Sequence, residues 1–189
     1  MDALHEKFET GLRAMGLGAG LPCELLKIAP ACLRFRIGGE GSPYLADHRK
    51  PSGDYIDAAL RRALDIYRRL PAAPDLLRLD RNARDADLLT QEVLGHMGLP
   101  EPEGREGDHL YWQLHGEPAF LRSLLREIIR GELDPEGLDL LCGNVYFLST
   151  EGLVLYQLYD DRGAHVAAAD KASLASLRCS CADWISMEH

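Results

Sequence analysis

The sequence predicts an α+β fold in which a mixed or antiparallel sheet is flanked by amphipathic helices. Helices are indicated by apolar residues that recur every three or four positions, and strands by short runs in which apolar and polar residues alternate. Several strand-like runs follow one another near the end of the chain, as in an antiparallel meander. The 189 residues suit a single domain, with an N-terminal helix and loop over residues 1–30 and a core over residues 31–186.

The first part of the chain predicts a helix, a strand and a second helix. The first helix is indicated by one apolar stripe, formed by Leu4, Phe8, Leu12 and Met15. The segment "CLRFRI" alternates apolar and basic residues as a half-buried strand does, and Gly38-Gly39 ends it. A long polar loop follows, and Ser52 or Asp54 caps the next helix, "DYIDAALRRALDIYRRL".

The middle of the chain predicts two further strands and two further helices. "DLLRLD" and "HLYWQLHG" are the strands, since apolar residues alternate with polar ones in the second of them. A helix begins near Asp85, and the acidic segment "LPEPEGREGD" is a loop. "EPAFLRSLLREIIRGEL" places a proline where a first helical turn tolerates it and a glycine, Gly131, near its end.

The last third predicts a three-stranded meander followed by a short helix. "NVYFLS" and "LVLYQLY" are separated by "TEG", which is typical of a short hairpin connection, and "AHVAA" is the third strand. Asp170 caps the helix "KASLASL", and the chain ends with "CSCADWISM".

The tetrad Asp160-Asp161-Arg162-Gly163 connects the last two strands of this meander. An aspartate at the start of a turn accepts a hydrogen bond from the backbone two residues further on, which explains Asp160. A glycine at the last loop position supplies a positive φ and forms a bulge, which explains Gly163. Turn chemistry leaves Asp161 and Arg162 unexplained. We therefore take Asp160, Asp161 and Arg162, together with Trp184, as candidate binding residues.

Charge and composition narrow the class of partner. The net charge of −9 comes entirely from residues 96–189, because residues 1–95 hold 14 basic and 14 acidic side chains. An acidic half disfavours nucleic acid as a partner and favours a basic protein surface. The N-terminus lacks the apolar region of a secretory leader, and no apolar run reaches the ~20 residues of a membrane span. These features predict a cytoplasmic protein.

Part of the sequence resembles a known family. "LYQLYDDRGAHVAAAD" and, after a short helix, "ADWI" are similar to the C-terminal signature of a bacterial family, domain-of-unknown-function family 3885. "LRFRIG", "YIDAALRRALDIYRRL" and "FLRSLLREIIRGEL" before "NVYFLS" also resemble that family. The resemblance spans roughly residues 30–186 and is most specific at residues 159–163 and 183–185. It implies no established activity and no assigned catalytic residue.

Two functions are consistent with the sequence. The first is a non-catalytic protein-binding module, for which an immunity protein that neutralises a basic toxin domain is one concrete form. It is supported by the charge asymmetry and by the missing signatures of phosphate loops, nucleophile elbows and zinc helices. No cofactor and no metal ligand set is predicted. The oligomeric state is left open.

The second function is an enzyme of unrecognised type. Its candidate residues are Asp161 and Arg162, with Asp47, His48 or His165 brought near by folding. An arginine would bind a carboxylate or phosphate while an aspartate acts as a base. A concave pocket that unites these side chains favours this alternative, and an isolated exposed turn opposes it.

Overall fold

The fold is given by a computed structural model, which describes residues 2–18, 21, 25–39, 42–45, 51–80, 91–131, 133 and 144–188. Within these ranges, eight strands pair into one sheet, and every pair is antiparallel. The strands are β1 (Ala31–Arg36), β2 (Leu76–Asp80), β3 (Gly104–Glu106), β4 (His109–Gln113), β5 (Val145–Ser149), β6 (Val154–Leu158), β7 (Gly163–Ala168) and β8 (Ile185–Glu188). Their order across the sheet is β3-β4-β2-β5-β6-β7-β1-β8. The predicted α+β class is confirmed.

Helices cover both faces of this sheet. They are α1 (Ala3–Ala14), α2 (Leu25–Ile28), α3 (Gly53–Arg68), α4 (Gln91–His96), α5 (Leu121–Gly131) and α6 (Ala175–Ser180), with 3₁₀ turns at Ala172–Leu174 and Ala182–Trp184. Helices α3 and α5 pack against each other on one face, which we call the α3 face. Helices α1 and α2 cover the other, which we call the α1 face. No helix in the described part of the chain is long and apolar enough to cross a bilayer.

Side-chain caps begin two of the helices, and the cap of α3 is one that the sequence predicts. Of the two candidate caps for α3, Ser52 is the one used, and its Oγ accepts a hydrogen bond from the Tyr55 backbone N–H at 3.4 Å. Helix α1 is capped by Asp2, whose Oδ1 accepts from the Leu4 amide at 2.9 Å. The predicted start near Asp85 lies outside the described residues, which resume at α4.

Alternation along the strands separates two hydrophobic clusters. Phe35, Phe147 and Tyr156 point to the α3 face, where the Tyr156 hydroxyl donates to the Ala63 carbonyl of α3 at 3.2 Å. Cys32 and Leu148 point to the α1 face and pack under α1 and α2. Both clusters exclude water, and the apolar area that they bury is the main favourable term in folding.

The α1 face also carries a row of polar side chains that crosses six strands. Strand register places each member directly opposite the next: Arg34, His165, Gln157, Tyr146, Arg78 and Tyr111. All of them are buried except Arg34, which is half-buried. Buried polar groups need hydrogen-bond partners. The Arg78 guanidinium donates to Asp80 and Glu9, and at the opposite end of the row the Arg34 guanidinium donates to the Tyr159 hydroxyl.

Two strands were not predicted, and both are short edge strands. Strand β3 lies inside the predicted acidic loop and has three residues, too few for an alternation to be seen. Strand β8 forms from the final "ISME", of which Ser186, Met187 and Glu188 are exposed. It pairs with β1 through a bulge at Ser186, since Arg34 faces Met187 and Phe35 faces Ile185. The bulge lies beside the site described next.

A candidate binding cleft beside the 160–163 turn

The carboxylate of Asp160 organises the turn between β6 and β7. Its Oδ1 accepts hydrogen bonds from the backbone N–H groups of Arg162 at 2.7 Å and Gly163 at 2.9 Å. Its Oδ2 accepts from Nε of the Arg162 guanidinium at 2.7 Å and also from Nη2. Asp160 is 3 % exposed, so these four bonds replace the water that the carboxylate loses. The predicted hydrogen bond from the backbone N–H two residues after Asp160 is therefore present. The carboxylate also accepts from the Gly163 N–H, which was not predicted.

The turn is not an isolated tip, because it packs against the segment that follows β1. The Ile37 amide donates to the Arg162 carbonyl at 3.0 Å. Asp161 is buried, and its Oδ2 accepts a hydrogen bond from the Tyr55 hydroxyl of α3 at 2.9 Å. Of the two residues that turn chemistry did not explain, Asp161 thus connects the turn to α3, while the Arg162 side chain is 75 % exposed.

Burial controls the protonation of this pair. Burial raises the pKa of Asp161 above its usual value, the neighbouring Asp160 charge acts in the same direction, and the Tyr55 hydrogen bond opposes both. Burial also raises the pKa of Tyr55, and the hydrogen bond to Asp161 adds to this effect. Tyr55 therefore remains a protonated donor at neutral pH.

Gly163 is required for a reason other than the predicted one. Its φ lies outside the left-handed region, so the predicted positive-φ bulge is wrong. A Cβ at this position would lie 1.9 Å from Oη and 2.5 Å from Cζ of Tyr159. Because the tip of the Tyr159 side chain lies directly over the backbone, a larger residue fits here only if that side chain or the turn moves. The left-handed residue of the meander is instead Leu153, in the hairpin before β6, with φ of 49°.

Tyr159 joins the turn to the polar row on the α1 face. Its hydroxyl accepts from Nε of Arg34 at 2.9 Å, and its ring lies 4.7 Å from the His165 ring at an interplanar angle of 31°. Nδ1 of His165 lies 3.3 Å from Oε1 of Gln157, and Nε2 has no partner among the described residues. Burial lowers the pKa of His165 to about 4, and the positive charge of Arg34 acts in the same direction.

A cavity of about 410 Å³ opens where β1 ends, and we call it the arginine cavity. Its described lining includes three arginines: Arg34 and Arg36 of β1, and Arg162 of the turn. Gly38, Gly39 and Tyr55 form another part of the wall, with Phe35, Ser186 and Met187. A Cβ on Gly38 would lie 2.5 Å from the Tyr55 hydroxyl, so the Tyr55–Asp161 contact depends on a bare backbone here.

A second cavity of about 570 Å³ lies beside the first, and we call it the tryptophan cavity. It is lined by Asp183, Trp184 and Ile185, and by Arg62 of α3. The two cavities share four lining residues: Arg36, Gly38, Gly39 and Ser186. Arg62 donates through Nη1 to the Gly38 carbonyl. The cleft formed by the two cavities thus brings together the 160–163 and 183–185 motifs, of which Arg162 and Trp184 lie 22 residues apart in sequence.

Charge is unevenly arranged around the arginine cavity. The three arginines line it, whereas the carboxylates of Asp160 and Asp161 are buried and point to Arg162 and Tyr55. Arg36 is exposed and has no hydrogen-bond or ion-pair partner within the described ranges. This wall therefore presents guanidinium N–H donors, which suit a carboxylate or a phosphate.

The sequence-derived candidates fall into three groups. Arg162 and Trp184 line the cleft, each in one cavity. Asp160 and Asp161 position the turn from within, and His165 lies under Tyr159 instead of in the cleft wall. Asp47 and His48 lie outside the described residues. Whether the four predicted binding residues contact a ligand stays a prediction.

The cleft also contains residues that sequence reasoning did not single out. They are Arg34, Arg36, Gly38, Tyr55 and Arg62. The segment "LRFRIGG" does indicate part of this site. Alternation places Arg34 and Arg36 on one face of β1, and a pair of glycines follows at the end of the segment. The described residues contain no group of three or more histidine, cysteine, aspartate or glutamate side chains that could hold a metal ion.

Comparison with known proteins identifies the family. The model described as "Domain of unknown function (DUF3885)" matches residues 17–189, so the chain belongs to this family, and the resemblance seen in the sequence is confirmed. The match covers every residue of the cleft lining and begins after α1. No curated protein and no solved structure matches the chain.

The contact between Gly163 and Tyr159 gives a stability prediction. Gly163→Ala should lower the free energy of unfolding by about 2 kcal/mol or more, because the added methyl overlaps the ring and forces the turn or the ring to move. Chemical denaturation measures this. The matched control is Gly53→Ala at the start of α3, where an added Cβ meets nothing within 4 Å. We expect that variant to be as stable as wild type or slightly more stable. Equal stability of all three proteins would contradict the contact.

His165 gives a prediction about pH. Its folded-state pKa of about 4 lies below the value of about 6.5 expected in the unfolded chain, so the unfolded state binds the proton first as pH falls. The stability contributed by neutral His165 is therefore present above pH 6.5 and is lost towards pH 4, by about 3 kcal/mol. Denaturation at stepwise pH should show this slope, and His165→Gln should flatten it. The control His115→Gln, at an exposed position, should retain it. Retention of the slope in His165→Gln would contradict the assignment.

Proposed function

We propose that the protein is a non-catalytic binding protein that takes an anionic group of its ligand into the arginine cavity. The observation that carries this proposal is the convergence of Arg34, Arg36 and Arg162 on one cavity, while the nearby carboxylates are turned away from it. The family to which the chain belongs has no described activity, so the proposal depends on the cleft itself.

Guanidinium chemistry supports an oxyanion as the bound group. A guanidinium is planar and charged at all physiological pH values, and its paired N–H donors match the oxygens of a carboxylate or phosphate. The Arg36 guanidinium donates to no partner among the described residues, so all of its N–H groups are available to an anion. Arg34 donates to Tyr159 through Nε, so its two terminal amino groups are available as well. The cavity therefore offers donors from more than one side.

Two of the arginines are already held in place, which favours binding. Arg162 is fixed by the buried Asp160, and Arg34 is fixed by the Tyr159 hydroxyl. A side chain that is ordered before the ligand arrives loses less conformational entropy on binding. Arg36 is the exposed member, and we expect it to become ordered when the anion binds.

The acidic character of the whole chain does not oppose this proposal. The net charge is −9, but screening reduces the effect of charges farther than about 8 Å in 0.15 M salt. Contacts within the cavity therefore decide the affinity, and distant carboxylates mainly slow the approach of an anion.

The protein-binding role expected from the sequence remains a second proposal. The charge asymmetry favours it, since residues 96–189 carry the entire net charge and would attract a basic toxin domain. Such a partner would use acidic surface outside the arginine cavity. A bacterial cytoplasmic location, without nucleic acid or membrane partners, belongs to the same proposal. Failure of the protein to protect cells that express a genomically adjacent toxin would contradict the immunity form.

Anion binding can be tested with inorganic phosphate and citrate at constant ionic strength. Both should raise the melting temperature of the wild-type protein, because a ligand that binds only the folded state stabilises it. Arg36→Gln should weaken phosphate binding about tenfold, since it removes hydrogen bonds to a charged group. Calorimetric titration measures the affinity.

The matched control for this experiment is Arg122→Gln, which removes the same charge from an exposed position on α5. It should leave the affinity within about twofold of wild type, because distant surface charges are screened. Equal loss in both variants would show that overall charge, not the cavity, controls binding. Absence of binding to the wild-type protein would contradict the proposal.

A further inference from the structure

The tryptophan cavity adjoins the arginine cavity, and its lining indicates the kind of group that the ligand carries besides its anion. We propose, on the basis of the anion-binding role above, that the ligand is a nucleoside phosphate: its phosphate lies in the arginine cavity and its base lies against Trp184 in the tryptophan cavity. Each cavity has a volume within the range of about 300–1,000 Å³ that is typical of small-molecule sites.

Trp184 supplies a flat apolar surface for a planar ring. Its side chain is half-buried: one part packs against the core on the α3 face, and the side chain also lines the tryptophan cavity. It is the last residue of the 3₁₀ turn Ala182–Trp184, and its amide donates to the Cys181 carbonyl at 3.0 Å, so its backbone is held. An indole fixed in this way is suited to stack on a nucleobase, which can be worth about tenfold or more in affinity.

Polar groups beside Trp184 suit the edge of a base. The Asp183 carboxylate is exposed and lines the same cavity, where it can accept hydrogen bonds from ring or exocyclic N–H groups. Arg62 lines the cavity as well and can donate to ring nitrogens or carbonyl oxygens. A nucleobase presents both donors and acceptors on one edge, so it can satisfy both residues together.

Other anionic ligands fit this second cavity less well. A ligand whose second group is only a carboxylate can pair with Arg62, but it offers no N–H donor to the Asp183 carboxylate in the same cavity. An aliphatic chain would leave the polar groups of Asp183 and Arg62 without partners, which costs affinity. A planar ring with polar edges avoids both problems.

The wall shared by the two cavities leaves room for the connecting sugar. Gly38 and Gly39 contribute bare backbone to both cavities, and Ser186 in the β8 bulge also lines both, with its hydroxyl donating to the Arg34 carbonyl at 3.2 Å. Arg36 borders both cavities and can contact the phosphate from either. The two ends of one ligand can thus be bound on either side of this shared wall.

The test is a calorimetric titration of the full chain with guanosine monophosphate and, separately, with inorganic phosphate at matched ionic strength. The nucleotide should bind about tenfold more tightly than phosphate. Trp184→Leu should reduce nucleotide affinity to that of phosphate, and Asp183→Asn should reduce it several-fold. Retained phosphate binding by both variants shows that they are folded, and Arg122→Gln on α5 should leave the ratio of nucleotide to phosphate affinity unchanged. Trp184→Phe should retain most of the nucleotide's advantage.

The outcomes separate this inference from the proposed function. If phosphate binds and the nucleotide binds no more tightly, the inference is overturned and the anion site stands. If neither binds, both are overturned. A nucleotide advantage that survives Trp184→Leu and Asp183→Asn would place the base elsewhere and overturn the inference. Should Trp184→Leu fail to fold, the tryptophan fluorescence of the wild-type chain decides, because the second tryptophan, Trp112, is buried and lies outside the cleft lining. Quenching by the nucleotide but not by phosphate supports stacking, and an unchanged signal overturns it.

Discussion

The buried carboxylate of Asp160 is the group on which the site depends. It satisfies two backbone amides of the turn and the guanidinium of Arg162, which is charged and largely exposed. A buried carboxylate without these donors would be strongly destabilising, so the turn adopts the conformation that supplies them. That conformation also turns Asp161 towards Tyr55 and presents the Arg162 carbonyl to Ile37. The position of Arg162 at the cleft is thus a consequence of how one carboxylate is satisfied.

Two close approaches between a tyrosine and a glycine connect this turn to its surroundings. Tyr159 crosses Gly163 and binds Arg34, while Tyr55 lies against Gly38 and binds Asp161. The contact of Tyr159 with Arg34 connects the turn to the polar row on the α1 face. The contact of Tyr55 with Asp161 connects the turn to helix α3 on the other face. The cleft therefore lies where the end of β1, the turn and the bulged edge strand β8 meet, and its arginines are supported from both faces of the sheet.

Much of this architecture could be predicted from the sequence, because it depends on local patterns. Periodicity identified the main helices and most of the strands, and turn chemistry explained Asp160. Gly163 shows the limit of such reasoning: the glycine is favoured by the Tyr159 side chain, which comes from the residue that follows β6, and not by its own φ. The gathering of Arg34, Arg36 and Arg162 also depends on strand order, which places β7 between β6 and β1. Strand β8 was missed because its four residues gain their order from pairing with β1.

The central claim is that the arginine cavity binds an anion through its own side chains. A ¹H–¹⁵N spectrum that resolves arginine Nε–H groups, recorded during a phosphate titration, tests this most directly. We expect the largest shifts at Nε of Arg36 and at the backbone amides of Gly38 and Gly39, all with one saturation curve. Arg122 and Arg13, which lie on other helices, should not move. Saturable shifts at distant arginines, or no saturable shift at the cavity, would contradict the account.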